Sequence, residues 1–153
     1  MRHPLTCCGP HEVVSEAGNT LSCGAVVVRR TDTGWLTLML RAYKNWDIPK
    51  GMCEHGEQPM ETALREVDEE LGISELNFDW GDRYMETGPY HRGKTARHYL
   101  ANTIEEKVIM GISPELGRPE HHEYRWVSFD EAHDLSAPRV RGVITWARQI
   151  IGA

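Results

Sequence analysis

Hydrophobic and polar positions change rhythm several times along this chain, and each rhythm predicts an element. Ordered patterning begins near Leu21, where SCGAVVVRR carries a β-branched run that ends in charge; a turn signal at Thr31 to Gly34 then leads into WLTLMLRAY. This pattern predicts a strand, a tight turn and a second strand. Trp46 to Ile48 predicts a short strand, broken by Pro49 and Gly51, and a loop continues to Gln58. From Pro59 to Leu71 the apolar positions Met60, Leu64, Val67 and Leu71 recur at helical spacing, with Pro59 suited to the first turn and Gly72 to the stop. Strands are predicted around Leu76 to Tyr84 and Arg97 to Ala101, flanking a turn that contains Gly and Pro, and a third in EYRWVSF near Glu123 to Phe129. Val140, Val143, Ile144, Ala147 and Ile151 predict a closing helix from about Pro138 to Ile150. Strands on both sides of a central helix, with a terminal helix, predict an α+β fold, a mixed α/β sandwich.

At 153 residues, 40% apolar and 26% charged, the chain suits one globular domain, expected over 21–153. Pro4, Gly9 and Pro10 predict a flexible N-terminal arm over 1–20. Cys7 and Cys8 with His3 and His11 raise a zinc reading, but adjacent cysteines lack CxxC-type spacing, and the arm is the better account. The four cysteines are irregularly placed, so free thiols are expected. No apolar run can span a bilayer and no secretory leader is evident, which predicts a soluble, cytoplasmic protein without a membrane partner.

Charge changes this picture. The stretch Gly51 to Ile73 holds seven acidic residues and one basic residue, Arg65, and its net charge of −6 equals that of the whole chain. Glu66, Glu69 and Glu70 stand at i, i+3 and i+4 and therefore project from neighbouring positions of one helix, beside the apolar stripe. Hard cations such as Mg²⁺ or Mn²⁺ prefer oxygen ligands and would turn this repulsion into coordination. The competing reading is a solvated acidic face. Against it, the preceding loop can return Glu57 and the Gly51 carbonyl toward the helix, with Arg65 bridging carboxylates.

The full spacing runs Gly51, five residues, Glu57, seven residues, Arg65-Glu66, Val67, one residue, Glu69-Glu70, one residue, Gly72-Ile73. This resembles the Nudix box without a departure. The resemblance implies a Nudix fold, a mixed β-sheet between helices in which the box forms a loop, helix and loop. It also implies Mg²⁺-dependent hydrolysis of a nucleoside diphosphate linked to another group, with Mn²⁺ a possible substitute. Glu66, Glu69 and Glu70 would then be metal ligands, one of them or a nearby glutamate the base, with Glu57 and Arg65 supporting the loop.

Outside the box, GPYHRGKTARHY concentrates His91, Arg92, Lys94, Arg97 and His98 where acids are absent. In the implied fold this is a hairpin, able to bring Lys94 or Arg92 over phosphates. Arg41, Lys44 and Lys50 form a second set, with Lys50 best placed beside Gly51. Tyr43, Trp46, Tyr90 and Tyr124 are candidates for stacking on a base, core packing being an equal account of Trp46 and Tyr124. SCGAVVVRR, LRAY, WDIPKG, ETALRE and EHHEYRWVSFDEA resemble the asymmetrical diadenosine tetraphosphate hydrolases, which implies ATP and AMP as products. By the same likeness Glu120 resembles a further metal-binding glutamate, Lys94 a phosphate contact and Tyr124 a stacking residue. Nucleoside triphosphates and RNA 5′ ends are the alternative substrates, and a nucleotide-sensing domain is the alternative of another class. The balanced charge outside the box disfavours inositol pyrophosphates, and no basic stripe interleaved with aromatics marks a nucleic-acid surface.

Overall fold

A computed structural model of the chain describes residues 20–153. The arm predicted over 1–20, with His3, Cys7, Cys8 and His11, lies outside the described residues apart from Thr20. Seven strands join in one mixed sheet: β1 (Leu21–Thr31), β2 (Gly34–Ala42), β3 (Asn45–Asp47), β4 (Lys50–Met52), β5 (Tyr84–Tyr90), β6 (Lys94–Asn102) and β7 (Glu123–Val127). The main order is β3-β2-β1-β6-β5, with β4 on β1 and β7 on β2. β1 runs parallel to β6 over its whole paired length, Leu21↔Thr95 to Val28↔Asn102. Its other side is shared, β4 taking Ser22 to Gly24 and β2 taking Val28 to Thr31.

Both faces of this sheet are covered, which is why β1 reads as an unbroken apolar run rather than an alternation. Cys23, Ala25 and Val27 pack toward helix α1 (Pro59–Leu71) with Ala63, Val67 and Leu71. Val26 and Val28 pack the other way, against Val140, Val143, Ile144 and Ala147 of α3 (Pro138–Ile151) and Phe129 and Ala132 of α2 (Phe129–Leu135). The expected layering of a mixed sheet between helices is therefore present. Among the described residues no helix is long and apolar enough to cross a membrane.

Three departures from the sequence reading have physical causes. The strand expected over Leu76 to Tyr84 is an irregular segment with one bridge, Asn77 to Asn102, because Phe78 to Gly81 closes a turn with Gly81 at φ 89°. The sheet instead continues from Tyr84 through Gly88 and Pro89, a stretch that resembles a turn in sequence. Pro is tolerated there because β5 is an edge strand with a register shift between Thr87 and Tyr90. The chain reverses at the 3₁₀ turn His91–Gly93. β4 and α2 are too short to display a period; α2 is set instead by Ser128, whose hydroxyl accepts from the Glu131 N–H at 3.1 Å. Of the thiols, Cys23 is free and buried, whereas Cys53 is disulfide-bonded, contrary to the expectation of free thiols throughout.

The rotation of α1 about its own axis decides where the acids lie. Pro59, Thr62, Ala63, Val67 and Leu71 are buried, while Met60 and Leu64 are only partly so. At about 100° per residue, that arc is centred between Ala63 and Val67 and takes in positions 66 and 70. Glu66 and Glu70 thus lie on the buried side of the helix rather than beside it.

Candidate active site

Gly72, left-handed at φ 69°, ends α1 and returns its N–H to the Asp68 carbonyl at 2.8 Å. Two N–H groups from a later loop satisfy further carbonyls of the last turn, Ile109 to Leu71 at 2.9 Å and Gly111 to Glu70 at 3.2 Å. A Cβ on Gly111 would stand 1.9 Å from the Glu69 carbonyl oxygen, so only glycine permits this approach. The acidic end of α1 and this loop enclose a cleft of roughly 190 Å³, walled by Glu66, Glu69 and Glu70, by residues 110–115 and by residues 119–121. β4 forms a lip beside Glu66. There Gly51 lies so close to the Glu66 carboxylate that an added Cβ would be 2.1 Å from its carboxyl carbon.

Arg65 organises the acids around this lip. Its Nε and Nη2 fork onto Glu57 at 2.6 and 3.1 Å, and Nη1 donates to Glu66 at 2.8 Å and Glu69 at 3.1 Å. Nη2 also donates to the Met52 carbonyl at 2.9 Å, which ties the loop to the helix. Glu57 further accepts from the Thr62 hydroxyl and the Glu54 N–H, each at 2.8 Å. The Arg65 hydrogen bonds hold the Glu57 carboxyl down at about 2, against the pull of partial burial.

Glu70 is the opposite case. Its Oε1 is buried with no hydrogen-bond partner. Burial first, then the neighbouring Glu66 and Glu120, push its carboxyl far above the usual carboxylate range. Among the described residues no three acidic, imidazole or thiol groups have closed around one point. Arg65 accounts for that, since it draws Glu66 and Glu69 into its own fork. An all-oxygen donor set and an orphaned carboxylate oxygen flanked by like charges nonetheless fit a hard divalent cation, which would supply the missing partner.

The remaining predicted residues divide. Glu120 is exposed on the cleft wall. Lys50 adjoins Gly51 in β4 but points to the α3 face, where its Nζ meets Asp47 at 2.7 Å. Tyr90 stacks under the Arg139 guanidinium, 4.9 Å from its ring centre. Arg92 and Lys94 are exposed at the turn of the β5–β6 hairpin. Arg41 is taken up by Glu123 at 2.9 Å and the Tyr43 carbonyl at 2.6 Å. Trp46 is corrected outright: it is 8% exposed, packed in the α3-side core with Arg125 over its ring. Arg97 pairs with Glu86 at 2.7 Å, and His98 is wholly buried, so neither belongs to a free basic surface. Tyr43 and Tyr124 are exposed, at 71% and 37%, and Tyr43 meets His122 edge-on. The loop 110–115, Asp47, His121 and Arg139 escaped the sequence reading. Of these only Asp47 carried a signal, an acid three residues before Lys50.

The NUDIX domain model matches residues 19–147. The chain is 33% identical over 127 residues to the asymmetrical bis(5′-nucleosyl)-tetraphosphatase of Sus scrofa, covering 75% of this chain and 83% of that protein. It is 27% identical over 140 residues to the RNA pyrophosphohydrolase of Acidiphilium cryptum, covering 84% and 79%. Among solved structures, a binary complex of the C. elegans Ap4A hydrolase superposes with a TM-score of 0.69 at 19% identity, over 88% of this chain and 99% of that one.

Proposed function

The chain belongs to the NUDIX family of hydrolases, and from that premise we propose that it is a Mg²⁺-dependent pyrophosphohydrolase that cleaves diadenosine tetraphosphate to ATP and AMP. The observation that carries the metal reading is the buried, unpartnered Oε1 of Glu70 beside Glu66 and Glu120. Glu66, Glu69, Glu70, Glu120 and the Gly51 carbonyl are the groups that would hold the ion. When bound, the cation neutralises phosphate oxygens and acidifies water, which opens a shielded polyphosphate to attack.

The chain's own residues do the rest. Arg65 keeps Glu66 and Glu69 at the lip of the cleft while Glu57 holds Arg65, so the loop and helix stay in register. One carboxylate of the Glu66, Glu69 and Glu70 set takes the proton of the attacking water. Lys50, with Arg92 and Lys94 of the hairpin, offers positive charge to phosphates leaving the cleft, and Tyr90 and Tyr124 offer rings to a base. Likeness to the tetraphosphatase at 33% over most of both chains supports the dinucleoside substrate. A second reading, pyrophosphate removal from RNA 5′ ends, draws on the 27% relative and keeps the same chemistry.

Turnover in Mg²⁺ of a panel containing diadenosine tetraphosphate, nucleoside triphosphates, ADP-ribose and triphosphorylated RNA tests the choice. ATP and AMP from the first substrate, with ¹⁸O from water in only one product, is the expected result. Preference for any other member overturns the substrate and spares the reaction class. Turnover of none would favour a nucleotide-sensing domain.

A further inference from the structure

Strand alternation in β4 sends Gly51 to the α1 face and its neighbour Lys50 to the α3 face. On that second face Lys50 belongs to a polar cluster whose other charged members, Asp47 and Arg139, the hydrolytic reading leaves unexplained. Asp47 accepts from the Ile48 N–H at 2.7 Å and from Lys50 Nζ at 2.7 Å, and Arg139 Nη2 lies 3.8 Å from the same carboxylate oxygen as Lys50. Burial alone would raise the Asp47 carboxyl, but Lys50 overrides it and keeps the group ionised. Two cations therefore share one carboxylate, and an excess positive charge remains.

The cluster also has unspent hydrogen bonds. Arg139 Nη1 is buried without a partner, and so are both ring nitrogens of His98, a residue 0% exposed whose electrostatic neighbours are Lys50, Asp47 and Arg139. Such groups are rarely left unmatched in a folded protein. Arg139 further sits in the first turn of α3, which has no side-chain cap and no acidic residue. A cation at that end opposes the helix dipole and an anion favours it. Tyr90 fixes the guanidinium from the side, 4.9 Å from its ring centre.

We propose that Lys50, Arg139 and Tyr90, over the floor made by His98, form a second anion subsite that holds a phosphate of the substrate chain beyond the one attacked. The subsite rests on the pyrophosphohydrolase reading and deepens it. Carboxylates on one side of β4 gather the cation at the scissile phosphate, and cations on the other side hold the remaining phosphates directly. Arg139 is then a specificity-determining residue, because the distance between the two groups selects how many phosphates lie between cut and anchor.

Titration calorimetry with inorganic tripolyphosphate in EDTA isolates this subsite from the metal site. Wild type should bind; Arg139→Ala should bind about tenfold or more weakly, the loss of a charge-assisted contact. Arg139→Lys should lie between, and Arg141→Ala, whose side chain in the same turn donates to the His133 carbonyl, should bind like wild type. Asp47→Asn should bind several-fold more tightly, since both cations are released, an effect that a purely structural role does not produce. Should Arg139→Ala fail to show a native melting transition, Asp47→Asn and Arg139→Lys still decide the matter. No binding by wild type, or equal affinity in wild type, Arg139→Ala and Asp47→Asn, overturns the subsite. Absence of diadenosine tetraphosphate turnover with tripolyphosphate binding intact would instead sink the substrate reading and leave the subsite standing.

Discussion

Gly51→Ala is the sharpest test of how the cleft is built, because it adds one methyl group and strains no backbone. Gly51 is extended in β4 and does not occupy the left-handed region that demands glycine. Its Cβ would nevertheless stand 2.1 Å from the Glu66 carboxyl carbon and 2.3 Å from each carboxylate oxygen. Ordinary contact begins near 3.4 Å, so the carboxylate must retreat by the difference, about 1.3 Å. Retreat stretches the 2.8 Å bond from Arg65 Nη1 beyond hydrogen-bond range, while the fork onto Glu57 remains. The stability cost is that of one partly exposed charged bond, about 1 kcal/mol, which moves the melting temperature by about 2–4 °C in a domain of this size. Activity should suffer far more. A displacement of about 1 Å in a positioned group costs on the order of a hundredfold in rate. Initial rates on whichever phosphoanhydride substrate the panel identifies, beside a thermal melt, separate the two effects. A turnover number within threefold of wild type would refute the claim that Glu66 is held in place by contact with β4.

Four further outcomes are expected from the same geometry. Glu70→Gln should lower turnover by several orders of magnitude and leave the melting temperature in EDTA unchanged or raised, since a neutral amide replaces a buried acid pressed against Glu66 and Glu120. Mg²⁺ at about a hundred times its dissociation constant should stabilise wild type by about 2.7 kcal/mol, seen as a rise in melting temperature of about 5–10 °C that Glu70→Gln largely loses. Gly111→Ala, with its Cβ 1.9 Å from a backbone oxygen, should lift the loop from α1; hydrogen exchange at Ile109 and Gly111 should accelerate. Glu57, held at about 2 by Arg65, contributes stability that is full above about pH 4.5 and lost as pH falls through 2. After solvent screening this is about 1–2 kcal/mol, and an acid melt of Glu57→Gln should lack that part of the decline.

What the sequence made legible has a physical pattern. The long elements were readable, β1 and β2 as apolar runs separated by a turn signal and α1 and α3 because each repeats a helical period, and Pro59, Gly72 and Pro138 mark where helices start or stop. β4 and α2 are three and seven residues long, and their pairing or capping partners lie elsewhere in the chain. β5 was hidden by Gly88 and Pro89, which signal a turn locally but are tolerated by an edge strand. At the site, fixed spacing located the acids on α1 and the arginine among them. It could not show that α1 is rotated to bury Glu66 and Glu70, because Met60 and Leu64 form one margin of the buried arc rather than its centre. Trp46 could be read either way and His98 looked available because side-chain direction in a strand depends on register, and theirs points into the α3-side core or its polar floor.

The charge excess between Gly51 and Ile73 takes on a different meaning once these directions are known. Arg65 is one cation against Glu54, Glu57, Glu66 and Glu69, and Glu70 lies beyond its reach, close to Glu120. Mutual repulsion of this kind would unwind an isolated helix. Here α1 is held by a core on one side and by Ile109 and Gly111 at its end, so the repulsion persists as an unmet demand for a cation. On the other face of β4 the imbalance is reversed, with Lys50 and Arg139 sharing Asp47. A three-residue strand thus separates an electronegative cleft from an electropositive cluster. Neither is complementary to a neutral ligand, and together they match a polyphosphate that meets cations bound by protein at one end and cations of the protein itself at the other.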